Sequence, residues 1–535
     1  MPIRSFIILA ISLLLFSCSE QKERPTDIFR YNESKGISTL DPAFAKSQTI
    51  IWPVSQLFNG LVQMNENTEL EPCIAKSWTI SNDGKSYIFH LRTDVFFHSN
   101  SVSGNNRKVV ASDFVYSLQR LFNPQTASPG AWLMNYLNKD TLNQGLLALN
   151  DSTLQIQLKQ AFPGFLGVLS MPYCSVVPRE VVEYYGKAFR SHPIGTGPFY
   201  LKKWREGEKL VLRRNKNYFE NDENGNPLPY LEGVAIRFIS DKQSEFLEFR
   251  KGEIDFISGV HNSYKDELLT RSGNLREKYK TQINMSKSPY LNTEYLGFLV
   301  NSKQSSVQNK YLRKAINFGF DRRKMLSYLR NNIGTPAEQG FVPKGLPSFS
   351  TETKGFEYNK DSAAYYLELA GFPNGKGLET ITLTTTSDYV DLCEYIQHEL
   401  SEIGIQITID ISSGATFRDQ VASSKLDFFR GSWIADYPDA ENYLSLFYSK
   451  NFAPNGPNYT QFSNSKYDLL FEKALTEVND SIRRTLYREL DKILIEDAPV
   501  VPLFYDEVIR FSQKNIHNFE TNAMNMLFLK KVYKE

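Results

Sequence analysis

Apolar residues recur with a period of two in several short stretches of the chain. The clearest is SNDGKSYIFHLRTDVFFH at residues 81–98, where Tyr87, Phe89 and Leu91 occupy every second position. This alternation is typical of a strand that has one buried face. An Asp-Gly pair at 83–84 precedes it, and such pairs favour tight turns between antiparallel strands. The stretch therefore predicts a β-hairpin.

Other stretches carry apolar residues three or four positions apart. In ASDFVYSLQRLFNP, residues 111–124, such spacing puts Phe114, Leu118 and Leu121 on one face of a helix. Ser112 is the predicted N-cap, and the Asn-Pro pair at the end stops the helix. The same spacing predicts helices at residues 51–60, 310–329, 360–371, 389–404 and 465–478.

The two patterns are distributed unevenly along the chain. Strand patterns dominate residues 191–290 and return at 500–513, whereas good helix patterns are concentrated in residues 291–500. A chain of 535 residues is also too long for a single hydrophobic core. Together these observations predict an α/β protein of two or three domains.

Composition narrows the classes of function. The 61 basic residues nearly balance the 60 acidic ones, the formal net charge is +1, and no basic stripe is visible. Proteins that bind nucleic acid usually show such an excess or stripe, so a nucleic-acid partner is not expected. Aromatic residues make up 13% of the chain. A large core with tyrosines at its edges explains most of them, and an aromatic-lined cleft is the alternative.

The N-terminus, MPIRSFIILAISLLLFSCSEQKERPT, has the features of an export signal. Arg4 is followed by an apolar stretch at 6–16 that is too short to span a bilayer. The Leu-Phe-Ser-Cys sequence ending at Cys18 resembles the bacterial lipobox. We expect residues 1–17 to be a lipoprotein signal peptide and residues 18–26 a lipidated tether. An ordinary signal peptide with a chance cysteine, or an uncleaved anchor, is the alternative. The expected location is extracytoplasmic, with the protein lipid-anchored to a bacterial membrane.

Motifs of enzymes and of metal sites are missing. The sequence has no CxxC pair, HExxH motif, GxSxG elbow or P-loop. The lone Gly-Thr-Gly at 195–197 is followed by Pro198, which has no N–H to offer a phosphate. A disulfide among Cys73, Cys174 and Cys393 stays open. The prediction is a protein that is not an enzyme and that has neither a cofactor nor a metal site.

Six blocks, which together extend along nearly the whole mature chain, resemble one family in the family's order. This is family 5 of the bacterial extracellular solute-binding proteins, which serve ABC importers of peptides and nickel. The third block is most similar to the oligopeptide-binding branch. The blocks are LDPAFA at 40–45, the stretch from Gln56 to His98, VVASDFVYSLQRLFNPQTASPGAW at 109–132, the stretch at 193–219, YLRKAINFGFDRRKML at 311–326 and RGSWIADYPDAENYL at 430–444.

The resemblance implies an α/β periplasmic-binding-protein-like fold of type II, cluster C. This fold has two lobes with a hinge, and an extra domain on the first lobe. Lobe I is expected to comprise residues 27–58, 191–290 and 503–535. The extra domain is expected at 59–190, and lobe II at 291–502.

The resemblance also implies which residues hold the ligand. In peptide-binding members, the Asp of the WxADY block pairs with the free α-amine of the ligand, and here it is Asp436. The alternative role for Asp436 is to cap the turn before Pro438. Arg430 matches an Arg that contacts the peptide backbone or its C-terminus, and a structural ion pair is the alternative.

Further contacts are expected on both sides of the cleft. Ser432, Trp433 and Tyr437 share the block with Asp436, and the two aromatic residues either wall the pocket or fill the core. The loop of Ala45, Lys46, Ser47 and Gln48 is expected to line the cleft from lobe I. Some oligopeptide binders carry an acid in place of Lys46, a Tyr in place of Gly130, and bulky residues near Val390 and Gly414. The peptide length and sequence preference of those binders therefore cannot be assigned to this chain.

The function expected from the resemblance is that of a monomeric, lipid-anchored receptor. It would capture short oligopeptides between its lobes and deliver them to an ABC transporter permease and ATPase complex. A non-peptide solute, such as a metal chelate, haem or a sugar oligomer, is the alternative within the family. A peptidase on a similar scaffold is the alternative from another class.

Overall fold

The computed structural model describes residues 27–141, 143–302 and 306–535. The predicted signal peptide, the tether and the expected lipidation site, Cys18, lie outside these residues. Across the described part of the chain, no helix has the length and apolar character needed to cross a membrane.

The strands of the described residues range from two to sixteen residues in length. In chain order they are β1 (Ile28–Asn32), β2 (Val62–Met64), β3 (Leu70–Pro72), β4 (Ala75–Ile80), β5 (Ser86–Leu91), β6 (Leu146–Asn150), β7 (Thr153–Gln157), β8 (Phe199–Arg205), β9 (Lys209–Arg214), β10 (Gly233–Arg237), β11 (Phe256–Ser258), β12 (Ile283–Phe298), β13 (Thr335–Pro336), β14 (Ile381–Thr385), β15 (Ile407–Ile411), β16 (Phe428–Ile434), β17 (Val500–Gln513), β18 (Ile516–His517) and β19 (Tyr533–Lys534).

The longer α-helices belong mainly to the second half of the chain. In order the helices are α1 (Gln48–Leu57), α2 (Ala111–Phe122), α3 (Phe165–Leu169), α4 (Arg179–Tyr185), α5 (Lys242–Arg250), α6 (Lys265–Leu268), α7 (Lys310–Phe318), α8 (Arg322–Arg330), α9 (Lys360–Leu369), α10 (Val390–Ser401), α11 (Gly414–Ala422), α12 (Glu441–Leu444), α13 (Ser465–Thr476) and α14 (Asp480–Asp497). Short 3₁₀ turns occupy Pro42–Phe44, Ala131–Tyr136, Pro172–Cys174, Gly186–Ser191, Glu277–Tyr279, Ser306–Gln308, Pro373–Gly375, Ser387–Tyr389, Ser445–Phe447 and Ser449–Asn451.

Three main sheets define the architecture. The sheet β1-β10-β9-β8, in which β1 and β10 are parallel, lies within the residues predicted for lobe I. The antiparallel sheet β4-β5-β7-β6, which includes the predicted hairpin, lies within those predicted for the extra domain. The largest sheet has the order β11-β17-β12-β16-β14-β15, with β13 added on β17. Its β16, β14 and β15 belong to lobe II and are parallel to one another.

Two long antiparallel strands join the lobes. The first half of β12, Ile283 to Pro289, pairs with the end of β17, where β11 also pairs. The second half, Thr293 to Gly297, pairs with the start of β17 and with β16 of lobe II. The register of the β12–β17 pair shifts between Pro289 and Thr293. This irregularity coincides with the predicted boundary between lobe I and lobe II at residues 290 and 291.

Two local predictions were wrong in detail. The predicted N-cap at Ser112 is not used, because the helix begins at Ala111 and the Asp113 carboxylate accepts the N–H of Val110 at 2.9 Å. The stretch at 310–329 forms two helices, α7 and α8, instead of one. Asp321 interrupts it by capping α8 through the N–H of Arg323 and of Lys324. Polar side chains that compete for backbone N–H groups explain both differences.

The three described cysteines, Cys73, Cys174 and Cys393, are free and buried. Each lies in a hydrophobic environment, and burial raises the pKa of the Cys393 thiol to about 11. They therefore behave as small apolar core residues.

Candidate ligand-binding site

The loop that carries Asp436 leaves the edge of lobe II directly after β16. Its backbone is anchored on the strand that joins the lobes, because the Ala435 N–H donates to the Leu291 carbonyl at 2.9 Å. The Leu291 N–H in turn donates to the Ala523 carbonyl at 2.8 Å. Leu291 lies inside the irregular part of β12. The loop thus sits at the passage between the lobes.

Asn442, one residue into α12, fixes the shape of this loop. Its Oδ1 accepts hydrogen bonds from Trp433 Nε1 at 3.0 Å and from the Asp436 N–H at 3.2 Å. Its Nδ2 lies 3.5 Å from Asp436 Oδ2. Trp433 is half-buried and packs against the core of lobe II. Trp433 thus supports the loop, and its contact with a ligand stays a prediction.

The carboxylate of Asp436 faces a cavity between the lobes. This cavity has a volume of about 120 Å³, and its walls come from lobe II, from the extra domain (Met171), from lobe I (Phe58) and from the C-terminal segment (Met524). Desolvation by the surrounding protein raises the pKa of Asp436 to about 6, against the hydrogen bond from Asn442. The side chain is nevertheless exposed to the cavity, so water moderates this effect.

No ion pair neutralises Asp436 within the described residues. The buried Glu294, by contrast, is paired with Arg430. A cavity-facing carboxylate without a cation can accept charge-assisted hydrogen bonds from a positively charged ligand group.

Tyr437 follows Asp436 in the loop, and its side chain packs against the extra domain. Its ring is buried, packs edge-on against Phe162 at 6.5 Å, and belongs to the apolar core that includes the extra-domain sheet. Its hydroxyl donates to Glu441. Gly167 of α3 leaves so little space that an added Cβ would lie 3.2 Å from Tyr437 Cβ. Lobe II is therefore packed directly against the extra domain at this point.

Arg430 lies on β16, upstream of the loop, and is buried. It forms an ion pair with Glu294 of β12, and its Cζ lies 3.2 Å from the centroid of the Tyr389 ring. Burial is the largest single effect and opposes the charge, but Glu294, Tyr389 and Cys393 together outweigh it, so the pKa of Arg430 is raised. Ser432 Oγ lies 3.0 Å from both Asn292 Oδ1 and Glu294 Oε1. A role of Arg430 and Ser432 toward a ligand stays a prediction.

The four residues of the loop expected to line the cleft from lobe I lie in different surroundings. Ala45 is buried in the lobe I core. Lys46 is exposed and lines a second cavity beside Asp41 and Arg120, which shares no wall residue with the Asp436 cavity. Ser47 precedes α1, and its Oγ lies 2.9 Å from Thr49 Oγ1. Gln48 Nε2 lies 3.5 Å from the Asn525 carbonyl, next to Met524 of the Asp436 cavity. Their contact with a ligand stays a prediction.

Sequence reasoning did not single out several neighbours of Asp436. Burial first, and the charge of Asp436 second, raise the pKa of both Tyr173 and Tyr459. The ring of Tyr173 also fills the space beside Gly130, where an added Cβ would lie 2.6 Å from it. Asn442 lies in the same sequence block as Asp436, and this proximity was the available signal. For the two tyrosines no comparable signal existed.

No cluster of three or more His, Cys, Asp or Glu side chains that could hold a metal ion occurs in the part of the chain that the structure describes. The site must therefore be judged on the enclosed carboxylate, the cavity and the lobes around it.

The model of bacterial extracellular solute-binding proteins, family 5, matches residues 69–455. The chain belongs to this family. The fold is the two-lobed α/β fold of periplasmic binding proteins. It is similar to the solved structure of the ABC transporter-associated periplasmic binding protein DppA from Helicobacter pylori in complex with the peptide STSA. The TM-score is 0.80 and the identity 26%, over 95% of this chain and 98% of that chain.

Relatives of this solute-binding protein differ in the ligand after which they are named. The heme-binding protein A of Haemophilus influenzae is 25% identical over 91% of this chain and 88% of its own length. The dipeptide-binding protein DppE of Bacillus subtilis is 24% identical over 93% of this chain and 90% of its own length. The comparisons thus show a solute-binding protein, and the choice of solute depends on the site.

Proposed function

We propose that this protein binds short peptides between its lobes and holds their free α-amine at Asp436. The observation that carries the proposal is the carboxylate of Asp436, which faces an interlobe cavity without a cation to pair with in the described residues. A peptide ammonium offers three donors to such a carboxylate. A charge-assisted hydrogen bond of this kind contributes about 1.5–3 kcal/mol net.

The relatives support the peptide reading. DppE is named for dipeptides, and the DppA structure holds the peptide STSA. Haem, metal chelates and sugar oligomers have no α-amine for Asp436 to hold, although heme-binding protein A is also a relative. A peptidase would need a nucleophile and a base at the site, and the sequence pattern offers neither.

The test is native mass spectrometry of the purified protein, followed by titration with a tripeptide and with its N-acetylated form. We expect a series of short-peptide masses in the wild type. Asp436→Ala should weaken tripeptide binding by roughly a hundredfold or more, because an unpaired buried ammonium costs about 3–5 kcal/mol. Acetylation should have a similar effect on the wild type.

The matched control is Asp410→Asn, which changes an exposed carboxylate on β15 of lobe II outside the cavity. It should bind as the wild type does. One defined non-peptide mass that survives Asp436→Ala would overturn the peptide assignment. Fragments of the added peptide would instead support a peptidase.

We further propose that Cys18 carries the lipid that anchors this protein outside the cytoplasm, beside the permease and ATPase of an ABC importer. The support is the lipobox-like sequence that ends at Cys18. Metabolic labelling with a fatty-acid analogue should mark the wild type, and Cys18→Ala should abolish the label. Cys73→Ala is the control, since that cysteine is buried and should leave the label unchanged. Labelling of Cys18→Ala would contradict the anchor.

A further inference from the structure

The cavity at Asp436 has an unusual lining. Four of the eight methionines in the sequence border it: Met64, Met171, Met524 and Met526. Met171 is buried and the other three are half-buried. Phe58 adds an aromatic wall on the lobe I side. Unbranched, polarisable methionine side chains adapt to irregular shapes and are common at surfaces that accept several partners.

The lining has two charged groups, and Asp436 is the one that has no ion-pair partner among the described residues. The other is Lys530, whose Nζ lies 2.5 Å from Glu220 Oε2 and also donates to Gln63. Cys73 contributes a neutral thiol, because burial raises its pKa to about 12. A charged ligand group other than the amine at Asp436 would therefore enter the cavity without a counter-charge, which is costly.

The position of the cavity relative to Asp436 determines which part of the ligand can enter the cavity. In a peptide held by its α-amine, the side chain of the first residue starts on the carbon that carries that amine. It must therefore lie next to Asp436, which is itself a wall of the cavity. The volume of about 120 Å³ corresponds to about four water molecules at the roughly 30 Å³ that each occupies in the liquid. One large side chain fits there. If the cavity stays empty, or if the first residue of the ligand is Gly, water remains in contact with the apolar walls.

We infer that the methionine-lined cavity is the specificity pocket for the first side chain of the ligand, and that it selects large apolar side chains such as those of Met, Leu and Phe. This inference rests on the proposed function and adds the class of peptide that the site prefers. Met171 and Met524, which come from different parts of the chain, are the residues assigned to determine the preference.

The experiment is calorimetric titration of the purified full chain with tripeptides Xaa-Ala-Ala, in which Xaa is Met, Leu, Phe, Gly, Asp or Lys. Burial of a large apolar side chain predicts that Met, Leu and Phe bind about tenfold or more tighter than Gly. Asp and Lys should bind no better than Gly. In a second series, Ala-Ala-Xaa, the preference for large apolar side chains should be much smaller.

Variants assign the preference to the cavity. Met171→Gln and Met524→Gln keep the side-chain length but add a polar group, so Met-Ala-Ala should fall toward the affinity of Gly-Ala-Ala. Urea unfolding of each variant, with a transition like that of the wild type, shows that the variants are folded. Met171→Leu, which conserves volume and apolarity, should keep the preference. Met285→Gln is the matched control, since Met285 is half-buried on β12 and does not line the cavity.

The outcomes separate this inference from the proposed function. Tight binding of peptides with equal affinity for every first residue would overturn the inference and leave the proposed function standing. A preference that survives both glutamine variants would also overturn it. If no peptide binds, both the inference and the proposed function are overturned. If N-acetylation weakens binding but the identity of Xaa has no effect, the amine site at Asp436 stands and the specificity pocket does not.

Discussion

Arg430 and Glu294 form an ion pair between neighbouring strands of lobe II. On the β12–β16 ladder Arg430 lies opposite Leu296 and Glu294 lies opposite Ser432, so the pair is diagonal. Both side chains are buried, and Tyr389 covers the guanidinium. The pair therefore fills the interior next to the strand that leads into the Asp436 loop.

Removal of Arg430 alone should destabilise lobe II strongly. Arg430→Met would leave the carboxylate of Glu294 buried and unpaired, at a cost of about 3–5 kcal/mol in the free energy of unfolding. The double variant Arg430→Met with Glu294→Gln should recover much of this loss, because no buried charge remains. Urea unfolding of the four proteins in this cycle measures it. A double variant as unstable as the sum of the single ones would show that the two side chains act independently.

Peptide binding should weaken as the pH falls below about 6. Burial raises the pKa of Asp436 to about 6, and the ligand ammonium needs the ionised form. Below this pKa, the dissociation constant should rise up to tenfold per pH unit, while above it the affinity should level off. Titrations between pH 4.5 and 8 measure the profile. The residual binding of Asp436→Asn should lack this dependence. If that variant keeps the same profile, another group controls the pH response, and Glu441, whose pKa burial raises to about 7, is the first to test.

The contact between Gly167 and Tyr437 should control closure of lobe II on the extra domain. An added Cβ at Gly167 lies 3.2 Å from Tyr437 Cβ and 3.3–3.4 Å from two atoms of its ring, so Gly167→Val must push the two residues apart. Overpacking of this kind costs about 1–3 kcal/mol, which predicts a loss of peptide affinity of about tenfold or more. Small-angle X-ray scattering should show a more open protein.

Tyr437→Ala provides the control for this contact. In that background the ring atoms at 3.3 and 3.4 Å are gone and only the Cβ at 3.2 Å remains, so Gly167→Val should then have a smaller further effect on affinity. An equal loss in both backgrounds would mean that the valine acts on helix α3 and not on the contact between lobe II and the extra domain.

The sequence predicted the fold further than it predicted the site. Period-two and period-3.6 patterns located the hairpin of β4 and β5 and most of the helices, because each element buries one face. Asp436 could be singled out because it belongs to a recognisable block. Glu294 could not be predicted as the partner of Arg430, because a single sequence does not reveal which distant strands pair. Its only signal was a charged residue within an apolar strand. The same limit hid Tyr173, Gly167 and the four cavity methionines, which come together only when three parts of the chain pack.

Asp491 should make the stability of lobe II depend on pH. It lies on α14, accepts the N–H of Phe341 at 2.7 Å and that of Val342 at 3.4 Å, and burial raises its pKa to about 7. A carboxyl group with a raised folded-state pKa binds more protons in the native state. The stabilisation that this group gives the native state is therefore fully present below its unfolded-state pKa, about 4, and is lost as the pH rises toward 7. Relative to Asp491→Asn, the wild type should lose about 2–4 kcal/mol of unfolding free energy between pH 4 and pH 7.5. Urea unfolding of both proteins at several pH values gives this difference directly, and Asp410→Asn, at an exposed position, should follow the wild type. A constant difference between wild type and Asp491→Asn across this range would mean that Asp491 is ionised throughout, held by the two backbone N–H groups alone.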